Sequence, residues 1–126
     1  KKGTFGSLET IASGIPMTDM LIVWSTFADE ESAARVVRVL VEERLIACGT
    51  LLPGARSIYR WKGGVQDVRE VVAMMKTRKQ DWTALLSRLH ELHPYEVPEC
   101  VAVRMAAGAP KYMEWLEAAL EPEAGA

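Results

Sequence analysis

Histidine and cysteine are scarce in this chain, two of each in 126 residues. Cys48 and Cys100 lie far apart and outside the CxxC spacing of zinc and redox motifs, and two thiols in a domain this size do not make a disulfide scaffold. Both are expected as reduced, buried small hydrophobes of a cytoplasmic protein. No apolar run approaches the roughly 18 residues that a membrane span needs. The opening stretch carries Lys1 and Lys2 but no apolar h-region, so it does not read as a signal peptide. Charge of one sign is missing as well. The 15 basic and 17 acidic residues are interspersed, leaving no basic stripe to neutralise phosphates, and nucleic acid is not an expected partner. A Gly-rich phosphate loop, an HExxH pair and a Ser-His-Asp arrangement are all absent, so neither an enzyme nor a required cofactor is expected.

What is present is an ordinary globular mix, 49% apolar and 25% charged, long enough for one domain with a sizeable core. Residues 1–16 show no strand or helix period and are set aside as a tail, with the domain placed at 17–121 and a short C-terminal tail at 122–126. "MLIVWSTF" (20–27) reads as a buried strand. From Asp29, a fitting N-cap, to Leu45 the period becomes helical, with Ala33, Val36, Val37, Leu40 and Val41 on the apolar side. Residues 48–61 return to strand composition, interrupted at Pro53-Gly54 by a bulge or kink. A turn at Lys62-Gly63-Gly64 then leads into a second long strand, 68–78.

A second helix runs from Asp81 through Trp82, Leu85, Leu86, Leu89 and Leu92, and Pro94 stops it. Residues 99–107 form a fourth strand. The last helix, 109–120, starts with Pro110 in its first turn and carries Tyr112, Trp115, Leu116 and Ala119 on one face. The order βαββαβ plus a terminal helix predicts an α+β ferredoxin-like sandwich. The two long strands overhang what a small sheet can pair, and such edges call for another chain to cover them.

Four stretches, "LVEERLIACGTLLPGARSIYRWKG" (40–63), "MKTRK" (75–79), "ELHPYEVPE" (91–99) and "YMEWL" (112–116), together resemble the CutA divalent-cation-tolerance family in the right order along the chain. The resemblance, over about residues 20–120, implies a homotrimer whose long hairpins pair with neighbouring subunits, and an association with tolerance to copper and other divalent cations. Copper binding in bacterial relatives is attributed to a cysteine at the end of the first strand and two adjacent histidines before Pro-Tyr. Here those positions hold Ser25, Leu92 and His93. A hydroxyl, an aliphatic chain and one imidazole do not make a tight copper site, so weak or adventitious metal binding is expected, with His93 the surviving donor. The plainer reading of His93 is a last-turn residue whose ring bonds a final helix carbonyl.

The remaining candidates divide in the same way. His90 shares the helix with His93 and could assist a metal, but reads better as a surface residue. Cys48 stands at the family's "ACG" position and is a packed thiol before it is a ligand. Met74 and Met75 are strand neighbours that point to opposite faces and so cannot share a pocket. Pro94 and Pro98 stiffen the loop between helix two and strand four. Tyr95 and Glu99 on that loop, with Trp61, Lys76 and Arg78, could line a polar, aromatic-walled cleft between subunits. A trimeric small-molecule sensor is therefore the second functional reading, by fold analogy with the nitrogen-regulatory PII proteins. An enzyme using Tyr95, Glu99 and Lys76 across the interface is a third.

Overall fold

The computed structural model describes residues 18–122. The expected tail 1–16 and all but the first residue of 122–126 lie outside the described residues. Among the described residues four strands and three α-helices form an α+β fold: β1 (Met20–Phe27), α1 (Glu30–Glu42), β2 (Cys48–Trp61), β3 (Gly64–Arg78), α2 (Trp82–Leu92), β4 (Val101–Arg104) and α3 (Pro110–Leu120). One sheet orders them β2-β3-β1-β4, with every neighbouring pair antiparallel. β1 thus lies between β3 and β4, and β3 between β1 and β2, so each strand-helix-strand unit is split by a strand of the other.

Alternation along β1 and β3 builds two layers. Val23 and Phe27 of β1 and Val71, Ala73 and Met75 of β3 face α1 and α2, where they meet Val36, Leu40, Leu85 and Leu89 in the main core. The opposite face packs Met20 and Ile22 under Leu116 and Leu120 of α3. Met75 is accordingly buried, and Met74 belongs to the other face, as the period requires. Asp29 caps α1 through Oδ1, which accepts the Ser32 N–H at 2.7 Å, and this bond holds its carboxyl below the usual aspartate value.

Several expected boundaries move. α1 ends at Glu42 rather than Leu45, because the chain leaves it through Arg44 in the left-handed region at φ 60, where a glycine would have marked the stop in sequence. Val41, expected on the apolar side, is exposed at the edge of that stripe. β3 begins at Gly64, not at 68, because Val65, Gln66 and Asp67 continue the ladder opposite Arg60, Tyr59 and Ile58. β4 is only four residues long, since β1 offers it pairing partners from Leu21 to Trp24 alone. On α3, Tyr112 and Trp115 are exposed and stacked on each other at 5.8 Å, while Leu116 and Leu120 take the buried stripe. Cys48 and Cys100 are free thiols that are half-buried rather than buried, and burial pushes Cys100 up to about 11.

The β2–β3 hairpin positions the site. Lys62 (φ 49) and Gly63 (φ 82) both adopt positive φ, giving the two-residue turn whose twist suits a hairpin. Farther down, the register slips between Leu52 and Ala55, and Gly54 at φ 81 supplies the bulge conformation beside Pro53, which has no N–H for the ladder. β1 pairs with β3 only from Val71 onward, so residues 64–70 have β2 on one side and no strand of the described chain on the other.

Candidate functional site

The end of β1, the start of the core half of β3 and the loop after α2 converge on His93. Pro94 forbids a helical continuation, so His93 caps α2 in an extended conformation (φ −74, ψ 133). Its ring then turns inward, only 7% exposed, and stacks on Phe27 with centroids 4.2 Å apart. Nε2 lies 2.8 Å from the Thr26 carbonyl oxygen, and Nδ1 accepts the Tyr95 N–H at 3.0 Å. A carbonyl can only accept and an amide N–H can only donate, which fixes the neutral tautomer with its proton on Nε2. Burial holds the pKa of His93 below the ordinary histidine value, partly offset by the bond to Thr26. The expected bond to a carbonyl of its own helix is therefore replaced by one to β1. His90 is the residue that makes the helix contact, with Nδ1 3.0 Å from the Leu86 carbonyl oxygen on an exposed face.

Ser25, Leu92 and His93, the positions set against copper donors in the sequence, offer a metal one imidazole and no thiolate. Ser25 is 0% exposed on the core face of β1, and its Oγ has no hydrogen-bond partner among the described residues. Leu92 packs against the main core and has no donor atom. His93 has both ring nitrogens engaged. Cys48 pairs across the ladder with Lys76, packed near α3. Among the described residues no three His, Cys, Asp or Glu side chains are grouped to hold a metal ion.

Tyr95 carries the geometry outward from His93. Its ring lies 4.8 Å from the imidazole, and its hydroxyl donates to Oε2 of Glu70 at 2.5 Å. Burial first and this bond second raise the Tyr95 pKa above its ordinary value, so the phenol stays a donor. Glu70 itself is 6% exposed. The rigid loop, the open face of β3 and the arm of β2 enclose a cleft of about 710 Å³, with Tyr59, Trp61 and Tyr95 among its walls and Glu70, Glu96 and Glu99 among its polar groups.

Of the five residues expected around a cleft, Trp61, Tyr95 and Glu99 thus line one cavity within a single chain. Within this one chain Lys76 and Arg78 lie outside that cavity, the expected cleft having drawn them from a neighbouring subunit. They share a strand face with Glu70 but stand six and eight residues along it, roughly 20 Å or more away. Lys76 donates to the Tyr112 hydroxyl at 2.8 Å, which raises its pKa, and Arg78 is held by Asp81 and Glu121. Glu70, Thr26, Ser57 and Tyr59 were not singled out from sequence. For Glu70 a signal exists: it is the one acid just ahead of the apolar run "VVAMM", on a strand whose other members there are core.

The comparisons with known proteins give the family. Residues 21–119 match the family model described as CutA1 divalent ion tolerance protein. The divalent-cation tolerance protein CutA of Pectobacterium atrosepticum is 39% identical over 105 residues, covering 83% of this chain and 96% of that protein. That of Pyrococcus horikoshii is 43% identical over 97 residues, covering 77% and 94%. The crystal structure of CutA from Xylella fastidiosa superposes with a TM-score of 0.80 at 41% identity, covering 82% of this chain and all (100%) of that one. With the family model spanning nearly the whole sheet and the relatives matched almost end to end, the chain belongs to the CutA1 divalent ion tolerance family.

Proposed function

We propose that this chain is a non-enzymatic, cytoplasmic homotrimer of ferredoxin-like subunits that serves divalent-cation tolerance while binding metal weakly, with no preformed copper site. The observation that carries the metal part is the double engagement of the His93 ring: a metal could reach either nitrogen only by displacing the Thr26 carbonyl or the Tyr95 N–H. The strand order, with its two interleaved β-α-β units, supports the ferredoxin-like assignment. The trimer is supported by the unpaired edge of residues 64–70 and by apolar side chains left outside on the hairpin, Ile58 at 64% and Val65 at 65% exposed. The two free thiols suit a reducing compartment.

Calorimetric titration with Cu(II) tests the metal reading. The natural sequence should bind weakly, and His93→Ala should change that binding little. Introducing the missing donors together, Ser25→Cys with Leu92→His, should strengthen it markedly. Tight binding by the natural chain that disappears in His93→Ala would overturn the proposal.

A second reading, a small-molecule sensor, is favoured by one specific feature. The cleft beside the hairpin combines aromatic walls with a few fixed polar groups, the usual make-up of a ligand site. The analogy with PII proteins, whose ligands sit between such subunits, points the same way. Thermal-shift screening of metabolites against metals separates the two readings.

A further inference from the structure

We propose that the hydrogen bond between Tyr95 and Glu70 locks a hinge at the root of the β2–β3 hairpin, fixing the direction in which the arm meets a neighbouring subunit. This rests on the trimer proposed above and names the contact within one chain that prepares it. Three features coincide at one level of the sheet. The β1–β3 ladder ends at Phe27 opposite Val71, so Glu70 is the first residue of β3, counting toward the turn, with no partner on β1. Directly across, β2 breaks register between Leu52, which faces Val72, and Ala55, which faces Glu70, and a bulge bends the strand that carries it. The third feature is the hydroxyl of Tyr95 on Oε2 of Glu70 at 2.5 Å. The arm therefore leaves the body at a bend, and a side-chain bond stands where the ladder to β1 stops.

The loop that carries Tyr95 is itself tied to the last two residues of β1. His93 stacks on Phe27, bonds the Thr26 carbonyl through Nε2 and accepts the Tyr95 N–H on Nδ1. Pro94 and Pro98 restrict the backbone on either side of Tyr95. A run of fixed contacts thus joins the end of β1 to the first residue of the arm. Glu70 is 6% exposed even in one chain, and a carboxylate there carries a desolvation cost that a valine would not. Such a buried pair adds little net stability, and its use here is to select one geometry. The loop also meets the tip of the arm, where Lys62 Nζ lies 3.9 Å from Oε1 of Glu96, but a long ion pair between two exposed side chains holds weakly. The lock falls to Tyr95 and Glu70, which act as positioning residues and do so equally well when a neighbour covers the arm.

The test unfolds the full chain in urea and dilutes it into buffer at several final concentrations. Circular dichroism follows the folding of single chains, which does not depend on concentration, and native mass spectrometry follows assembly, which does. Glu70→Gln keeps an oxygen to accept the Tyr95 hydroxyl and should assemble within about twofold of the natural rate. Tyr95→Phe combined with Glu70→Val removes the bond and the buried carboxylate together, so its folding phase should be unchanged. An unlocked arm that points correctly about one time in ten should slow its assembly by about tenfold or more. Tyr95→Phe alone, which keeps the ring against His93, should show the same assembly defect and replaces the double variant if that one does not fold. Assembly of the Phe variants at the natural rate overturns the proposal, because the pair would then have no part in aiming the arm. A Glu70→Gln chain as slow as the double variant overturns it too, since the charge and not the bond would be responsible. A natural chain that stays single at every concentration removes the trimer itself, and the lock with it.

Discussion

The imidazole of His93 has one nitrogen that must carry a proton and one that must not, and both demands come from backbone groups that cannot change roles. Protonation would turn Nδ1 into a donor facing the Tyr95 N–H. The folded chain therefore resists a proton that the unfolded chain accepts near the ordinary value of 6.5. Because the unfolded state binds more protons, this contribution is complete above that value and is lost as pH falls through the lower folded-state pKa. The melting temperature should accordingly drop between pH 7 and pH 5, before most carboxylates titrate. His93→Phe should remove that part of the slope. It should also cost about 2 kcal/mol at pH 7.5, because the Thr26 carbonyl and Tyr95 N–H lose their partner. Urea unfolding at several pH values checks both, and an unchanged slope in the variant would place the titration elsewhere.

Among the elements, the β2–β3 hairpin depends most on local backbone geometry. Its bulge requires positive φ at Gly54, and a Cβ there is strained although the space around it is open. Gly54→Val should lower stability by about 1–2 kcal/mol, read from thermal or urea unfolding, whereas a pure packing effect would leave it near zero. This hairpin also marks what the sequence could and could not tell. Pro53-Gly54 announced the irregularity and the glycines after Lys62 announced the turn, because those residue types have restricted conformations. Residues 64–67 hid their strand, since Gly64, Gln66 and Asp67 are poor strand formers held there by their neighbours across the ladder. Spacing likewise located the helices and the face that Tyr112 and Trp115 share on α3, but it could not tell which part of that face finds a sheet to cover it. At the site, the loop residues Tyr95 and Glu99 were legible from their unusual company. The pairing of Tyr95 with Glu70 was not, because it joins residues 25 positions apart through the fold.

For the whole molecule, the proposed trimer makes stability a function of concentration. Dilution should lower the melting temperature, and native mass spectrometry should report three chains in the undiluted protein. A single-chain mass at micromolar concentration, with a melting temperature indifferent to dilution, would sink the assembly. The hairpin also bears on how a separated subunit would travel. Seven residues of β3, 64–70, run on beyond the last residue that β1 pairs, an arm of roughly 20 Å carried alongside the matching length of β2. A body of 14.0 kDa with such a projection drags more solvent than a sphere of equal mass. A lone subunit would sediment slowly and elute early for its size, so gel filtration alone would overstate its mass, and the friction itself would measure how far the arm reaches.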